Sequence, residues 1–320
     1  MNQINLKNKE YDVIIVGAGF SGLYQLICLR DQLGMNCLVV ETGDDVGGTW
    51  YWNRYPGARC DTESHAYSYY FSDELLKEWT WSERYPGHAE IRRYMNFVAD
   101  KFDLKKDILF NHKVTSAQYN EDKICWKITT NNKINFKSKF LITAVGCLSN
   151  ANIPNIRGLE NFKGKYYHTG NWPKNDVSFV GKKVGQIGTG STGIQAVPVI
   201  AEEAKHLTVF QRTANYSVPA RNKPLTENFK IHVKERFKYY RELLKKTPNG
   251  HPFEISDRLV ADVQEQEMQE IYEKAWEKGG LQFRGSFSDL VTNVEANKTA
   301  SDFIKNKINE TVLNKNFAAI

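Results

Sequence analysis

A strand, a turn of the form Gly-x-Gly-x-x-Gly and a helix occur twice in this chain, and no other feature narrows its fold as far. The first turn, Gly17-Ala18-Gly19-Phe20-Ser21-Gly22, follows the apolar run Tyr11 to Val16. The second, Gly188-Thr189-Gly190-Ser191-Thr192-Gly193, follows Lys183 to Ile187. In such a turn the first glycine permits a tight bend and the second lets a pyrophosphate approach the backbone. The third lets helix and strand pack closely, and the helix N-terminus meets the phosphate charge. Leu23, Leu26, Ile27 and Leu33 recur at helical spacing after the first turn, and Ile194 to Ala204 reads as a helix after the second. The spacing predicts an α/β chain with two Rossmann-like dinucleotide-binding domains.

The two units differ where a ribose would lie. A second apolar strand, Cys37 to Val40, ends in Glu41, and the strand Leu207 to Phe210 is followed by Arg212. Each falls at the same distance from the first glycine of its own turn. A carboxylate suits free ribose hydroxyls, whereas a guanidinium suits a 2'-phosphate. The first site is therefore expected to take FAD through Gly17, Gly19, Phe20, Ser21, Gly22 and Glu41. The second is expected to take NADP through Gly188 to Gly193, Gln195, Arg212 and the hydroxyl of Thr213. Read on position alone, Arg212 is also compatible with a plain surface arginine.

Composition sets limits on the rest. At 41% hydrophobic and 12% aromatic residues, with a mean hydropathy of -0.53, the chain has enough core formers to fold, and 320 residues suggest more than one domain. No apolar run approaches the roughly 20 residues that span a bilayer. Met1 to Glu10 is polar, without the apolar core of a secretory signal. Cys28, Cys37, Cys60, Cys125 and Cys147 form no regular framework, so a reducing cytoplasm is expected. The net charge of +6 comes from interspersed lysines, arginines and acids, which argues against a nucleic-acid partner. The seven histidines show no metal-ligand spacing, and no metal is expected.

Between the two turns lies Gly47-Gly48-Thr49-Trp50-Tyr51-Trp52-Asn53-Arg54-Tyr55-Pro56-Gly57-Ala58-Arg59-Cys60-Asp61. It reads as a rigid loop. Its aromatics fit a wall against a planar ring and an aromatic mini-core equally well. Further on, Phe162, Gly164, His168, Trp172 and Pro173 follow the pattern FxGxxxHxxxWP. A satisfied linker histidine is the simpler reading of His168 from the residues alone. Asp107 to Val145 reads as a β-meander over about 107–140 with a return strand, Leu141 to Val145. Lys223 to Asn316 reads as charged helices with turns at Pro248-Asn249-Gly250 and Gly279-Gly280.

Taken together, these motifs resemble the signature of type I Baeyer–Villiger monooxygenases, the family of phenylacetone and cyclohexanone monooxygenases. The resemblance implies an FAD domain over 1–145, a linker over 146–175, an NADP domain over 176–220 and a helical insertion over 221–320. It implies Gly48, Thr49, Trp50 and Asp61 near the flavin, with His168 and Trp172 in the linker as further catalytic residues. The implied reaction uses FAD, NADPH and O2 to insert oxygen next to a ketone carbonyl, giving an ester or lactone. Nitrogen- and sulfur-oxygenating flavin monooxygenases are similar but usually carry Tyr and a basic residue in place of Trp172-Pro173, which ranks them second. A non-catalytic dinucleotide-binding fragment is a third reading. Members of the family place a flavin-facing arginine beyond the region matching Asn314 to Ile320. The expectation is thus a chain lacking the C-terminal part of both domains and, if truncated, inactive.

Overall fold

The structure is a computed structural model and describes residues 10–314; the expectations for Met1 to Lys9 and for the last six residues lie outside that range. In chain order the first elements are β1 (Glu10–Val16), α1 (Phe20–Leu26), β2 (Cys37–Val40), α2 (Thr49–Trp52), α3 (Asp73–Glu78) and α4 (His88–Lys101). Strands β3 (Ile108–Leu109), β4 (Val114–Asn120), β5 (Cys125–Thr130) and β6 (Asn135–Thr143) follow. Then come β7 (Lys183–Ile187), α5 (Ser191–Glu203) and β8 (His206–Phe210). The helices α6 (Glu227–Glu235), α7 (Phe237–Lys246), α8 (Glu265–Lys278) and α9 (Val294–Thr311) close the series. Two compact units emerge. One gathers the chain up to Ala58 with 87–184 and 195–206; the other gathers 59–86, 185–194 and the chain from Leu207 onward.

The first unit is built on a six-stranded sheet of order β3-β2-β1-β6-β5-β4. Strands β3, β2, β1 and β6 run parallel, and β5 and β4 continue the sheet antiparallel. Val13, Ile14 and Ile15 are all buried, as are all four residues of β2, because a parallel sheet is covered on both faces and needs apolar side chains on each. Ile14, Leu38, Val40, Leu109, Ile128 and Phe136 form one core across both parts of the sheet.

Three expectations need correction. The meander and its return strand are not separate: β6 is one nine-residue strand that pairs with β5 over 135–138 and with β1 over 137–143. It also ends at Thr143 rather than Val145. Helix α1 passes into a π-helical turn over Ile27–Gln32, and Leu33 is 68% exposed. The wider turn rotates the chain off the 3.6-residue period, so Leu33 leaves the buried face that its spacing predicts. Thr49–Trp52 is one helical turn, where a loop was expected.

In the second unit α8 and α9 enclose Met268, Tyr272, Phe283, Phe287, Phe303 and Ile304. Tyr272 is fully buried, and its hydroxyl pairs with Thr299 Oγ1 at 2.7 Å, which satisfies its one polar atom. Both expected turns are present: Asn249 and Gly250 have positive φ after α7, and Gly279 and Gly280 do so at the end of α8. Among the described residues no helix is long and apolar enough to cross a membrane, and no His, Cys, Asp and Glu cluster could hold a metal ion.

Ile14 is 0% exposed at the centre of the shared core. Ile14→Ala is expected to lower unfolding free energy by about 2–5 kcal/mol and Ile14→Val by about 0.5–1.5 kcal/mol, read by urea titration.

Candidate dinucleotide sites

At the end of β1 the chain turns through Gly17, whose φ of +104° belongs to the region that favours glycine. A Cβ on Gly22 would lie 1.9 Å from the Gly17 carbonyl oxygen, so α1 is seated directly on the strand end. The second turn repeats this geometry. Gly188 has φ +100°, and a Cβ on Gly193 would lie 2.4 Å from the Gly188 oxygen. Gly190 has no atom within 4 Å of the position of an added Cβ, so that turn faces open space.

Glu41 is 5% exposed, and both of its carboxylate oxygens are engaged. Oε2 accepts from the Ala18 amide at 2.7 Å and Oε1 from the Gly43 amide at 2.7 Å. The carboxylate therefore braces the glycine turn, and its four acceptor positions leave capacity for ribose hydroxyls. Gly47 N donates to Ala18 O at 3.1 Å, and a Cβ on Gly19 would stand 3.4 Å from the Gly48 Cα. Gly17 to Gly22, Glu41, Gly48, Thr49 and Trp50 are in this way brought together in the first unit. Phe20 lies 6.1 Å from the Tyr94 ring, Ser21 and Thr49 are exposed, and Trp50 is 8% exposed.

The aromatic loop carries a cluster that sequence reasoning missed. The Tyr51 hydroxyl donates to Asp44 Oδ1 at 2.6 Å, and the ring is approached by Arg54, Arg92 and Lys174 at 4.9, 5.2 and 5.6 Å. Lys174 also pairs with Asp44 and holds that carboxyl below its usual range, with the Tyr51 hydroxyl assisting. Lys174 directly follows Trp172-Pro173, so its place in the fingerprint was the available signal.

His168 caps a short 3-10 turn over Thr169–Asn171: the Gly170 amide donates to its Nδ1 at 3.1 Å. That bond leaves Nε2 to carry the proton of the neutral ring. Trp172 is half-buried, 5.4 Å from the Tyr167 ring and 6.2 Å from Phe179. Gln195 Oε1 accepts from the Tyr55 hydroxyl at 2.8 Å. His168, Trp172 and Gln195 belong to the first unit, whereas Asp61, Gly188 to Gly193, Arg212 and Thr213 belong to the second.

At the second turn the Gly188 amide donates to Phe210 O at 2.9 Å, and Thr189 Oγ1 donates to Gln211 Oε1 at 2.9 Å. Arg212 and Thr213 are exposed beyond β8. Burial pushes the Cys60 thiol up to about 12 and the Cys37 thiol up to about 11, so neither forms a thiolate near neutral pH.

A family model described as flavin-binding monooxygenase-like matches residues 10–277. The chain belongs to that family. It is 46% identical over 308 residues to a cyclohexanone 1,2-monooxygenase of Acinetobacter sp., covering 95% of this chain and 56% of that protein. A phenazine N-monooxygenase of Lysobacter antibioticus is 41% identical over 95% of this chain and 56% of its own length. Among solved structures, a cyclohexanone monooxygenase from Rhodococcus sp. Phi1 bound to NADP+ superposes with a TM-score of 0.95 at 39% identity, covering 98% of this chain and 59% of that one. This flavin-binding monooxygenase-like chain thus spans little more than half the length of the relatives it matches.

The glycine geometry separates packing from space. Gly22→Ala and Gly193→Ala are expected to destabilise the chain by about 1–3 kcal/mol, because a backbone oxygen occupies the position of the new methyl. Gly190→Ala should stay within about 0.5 kcal/mol of the wild type. Thermal and urea unfolding of the three variants check this.

Proposed function

We propose that this chain binds FAD at the first glycine turn and NADPH at the second, and serves a Baeyer–Villiger monooxygenase that converts a ketone to an ester or lactone. The reading is carried by the repeated turn geometry with opposite charges after it, Glu41 in the first unit and Arg212 in the second. The residues present fit the two nucleotides. Gly188 and Gly190 leave the backbone open at the second turn, and at the first the Glu41 carboxylate is already oriented by two amides. The domain boundaries proposed above accompany this reading.

Each residue then has a binding task. The amides of Phe20, Ser21 and Gly22 at the start of α1 meet the FAD pyrophosphate, while Glu41 accepts from the adenosine ribose. Thr49 and Trp50 stand beside the turn, and Asp61 tunes the flavin-facing arginine that the family resemblance implies. At the other turn Thr189 to Gly193 face the NADPH pyrophosphate, and Arg212 with Thr213 reads the 2'-phosphate. His168 and Trp172 shape the linker. Bound FAD supplies the redox and O2 chemistry; the side chains bind, orient and exclude water. The five cysteines, none in a disulfide, suit a reducing compartment.

Oxygenation at nitrogen is the second reading, favoured by the likeness to a phenazine N-monooxygenase. Trp172-Pro173 ranks it below ketone oxidation. Product analysis with cyclohexanone and with an N-heteroaromatic, each coupled to NADPH consumption, separates the two: a lactone supports the first and an N-oxide without lactone the second.

Nucleotide choice is testable at one side chain. A hydrogen bond to a charged group is worth about 1.5–3 kcal/mol, so Arg212→Ala should weaken NADPH binding at least about tenfold while NADH barely changes. Titration calorimetry decides it. Equal losses for both nucleotides would assign Arg212 to the fold instead.

A further inference from the structure

The loop after the first glycine turn touches α5 at one residue in two ways. The Tyr55 hydroxyl, on a side chain 7% exposed, donates to Gln195 Oε1 at 2.8 Å. Two residues on, Gly57 has φ +79°, and a Cβ there would stand 2.2 Å from the Gln195 carbonyl oxygen and 3.2 Å from Val199 Cγ2. Loop backbone and helix backbone are therefore in direct contact at Gln195, and a side-chain hydrogen bond closes over the same point.

The loop is fastened at its other end as well. Gly47 N donates to Ala18 O inside the first turn, and the Tyr51 hydroxyl is tied to Asp44. Ala58 N donates to Tyr55 O at 3.0 Å, and His88 N donates to Ala58 O at 2.9 Å, which hold the loop to the start of α4. A continuous set of short contacts runs from Ala18, through the loop that carries Thr49 and Trp50, to the body of α5. That helix begins at Ser191, inside the second glycine turn.

We propose that Tyr55 is a positioning residue. With the Gly57 backbone seat, it latches the loop to the body of α5, so that Thr49 and Trp50 keep their place beside the flavin. This rests on the two-nucleotide reading above; bound NADPH would supply a hydride to the flavin and become NADP+. Neither Tyr55 nor Gly57 needs to touch a nucleotide to act. A small displacement of the groups around the hydride acceptor has a large effect on rate and a small one on affinity.

Two measurements on the full chain test it. Hydrogen exchange without cofactors reads the latch alone. Tyr55→Phe keeps the ring and deletes one bond worth about fivefold in a local opening equilibrium, so exchange should rise about that much in residues 53–58 and 195–200. Gly57→Ala should raise it further, while β2 and β5 stay unchanged in Tyr55→Phe. Unchanged exchange in both variants, or an equal rise in the central strands, overturns the latch. The second measurement is anaerobic flavin reduction by NADPH. Tyr55→Phe should slow it about tenfold or more at saturating NADPH, with the NADPH dissociation constant within about twofold. Local loosening with an unaltered reduction rate overturns the positioning role. If the wild-type chain takes up neither nucleotide, the two-nucleotide reading has failed, and the exchange result alone still decides whether the latch exists.

Discussion

Neither Gly22 nor Gly193 has room for a side chain, because the carbonyl oxygen of the first glycine in each turn occupies the space a Cβ would need. That close approach seats each helix on the end of its strand. Everything proposed at the two sites follows from those seated helix starts and from the charge placed after them. In the first unit the constraint is reinforced: the Glu41 carboxylate grips the Ala18 and Gly43 amides, and the loop from Gly47 folds back on the turn. A buried carboxylate is costly unless its oxygens are satisfied, and here two amides satisfy part of its capacity. The remainder suits hydroxyl donors.

The two turns share geometry but not surroundings. β1 and β2 are buried on both faces, and the first turn emerges from a six-stranded sheet. β7 and β8 form a two-stranded sheet in which Ile187 is 71% and Phe210 56% exposed. The first turn is thereby held by packing, by Glu41 and by the aromatic loop. The second is held by Gly188 N on Phe210 O and by Gln186, whose amide donates to Gly193 O at 3.0 Å.

What could be read from the sequence was local. The two glycine turns and the Pro248 and Gly279 turns are set by neighbouring residues and lie where the spacing predicted them, and Glu41 and Arg212 follow the ends of β2 and β8. The π-turn that exposes Leu33 was hidden because one extra residue per turn leaves no mark on a short apolar pattern. β6 was split in two because a strand that changes partners keeps the same two-residue period along its length. Long-range partners were out of reach for another reason. Tyr55 and Gln195 are separated by 140 residues, and Glu63 binds both Arg84 and Gln282, the latter 219 residues away. No composition or period encodes such pairs. The grouping of 59–86 with the helical unit is of the same kind.

The central claim is that one chain carries two independent dinucleotide sites of opposite preference. Binding stoichiometry tests it most directly, by calorimetric titration of the flavin-free chain with FAD followed by NADP+. The account predicts one FAD per chain and then one further NADP+ that leaves the FAD in place, with Glu41→Ala weakening only the first binding event. Displacement of FAD by NADP+, or a total of one nucleotide per chain, would contradict it.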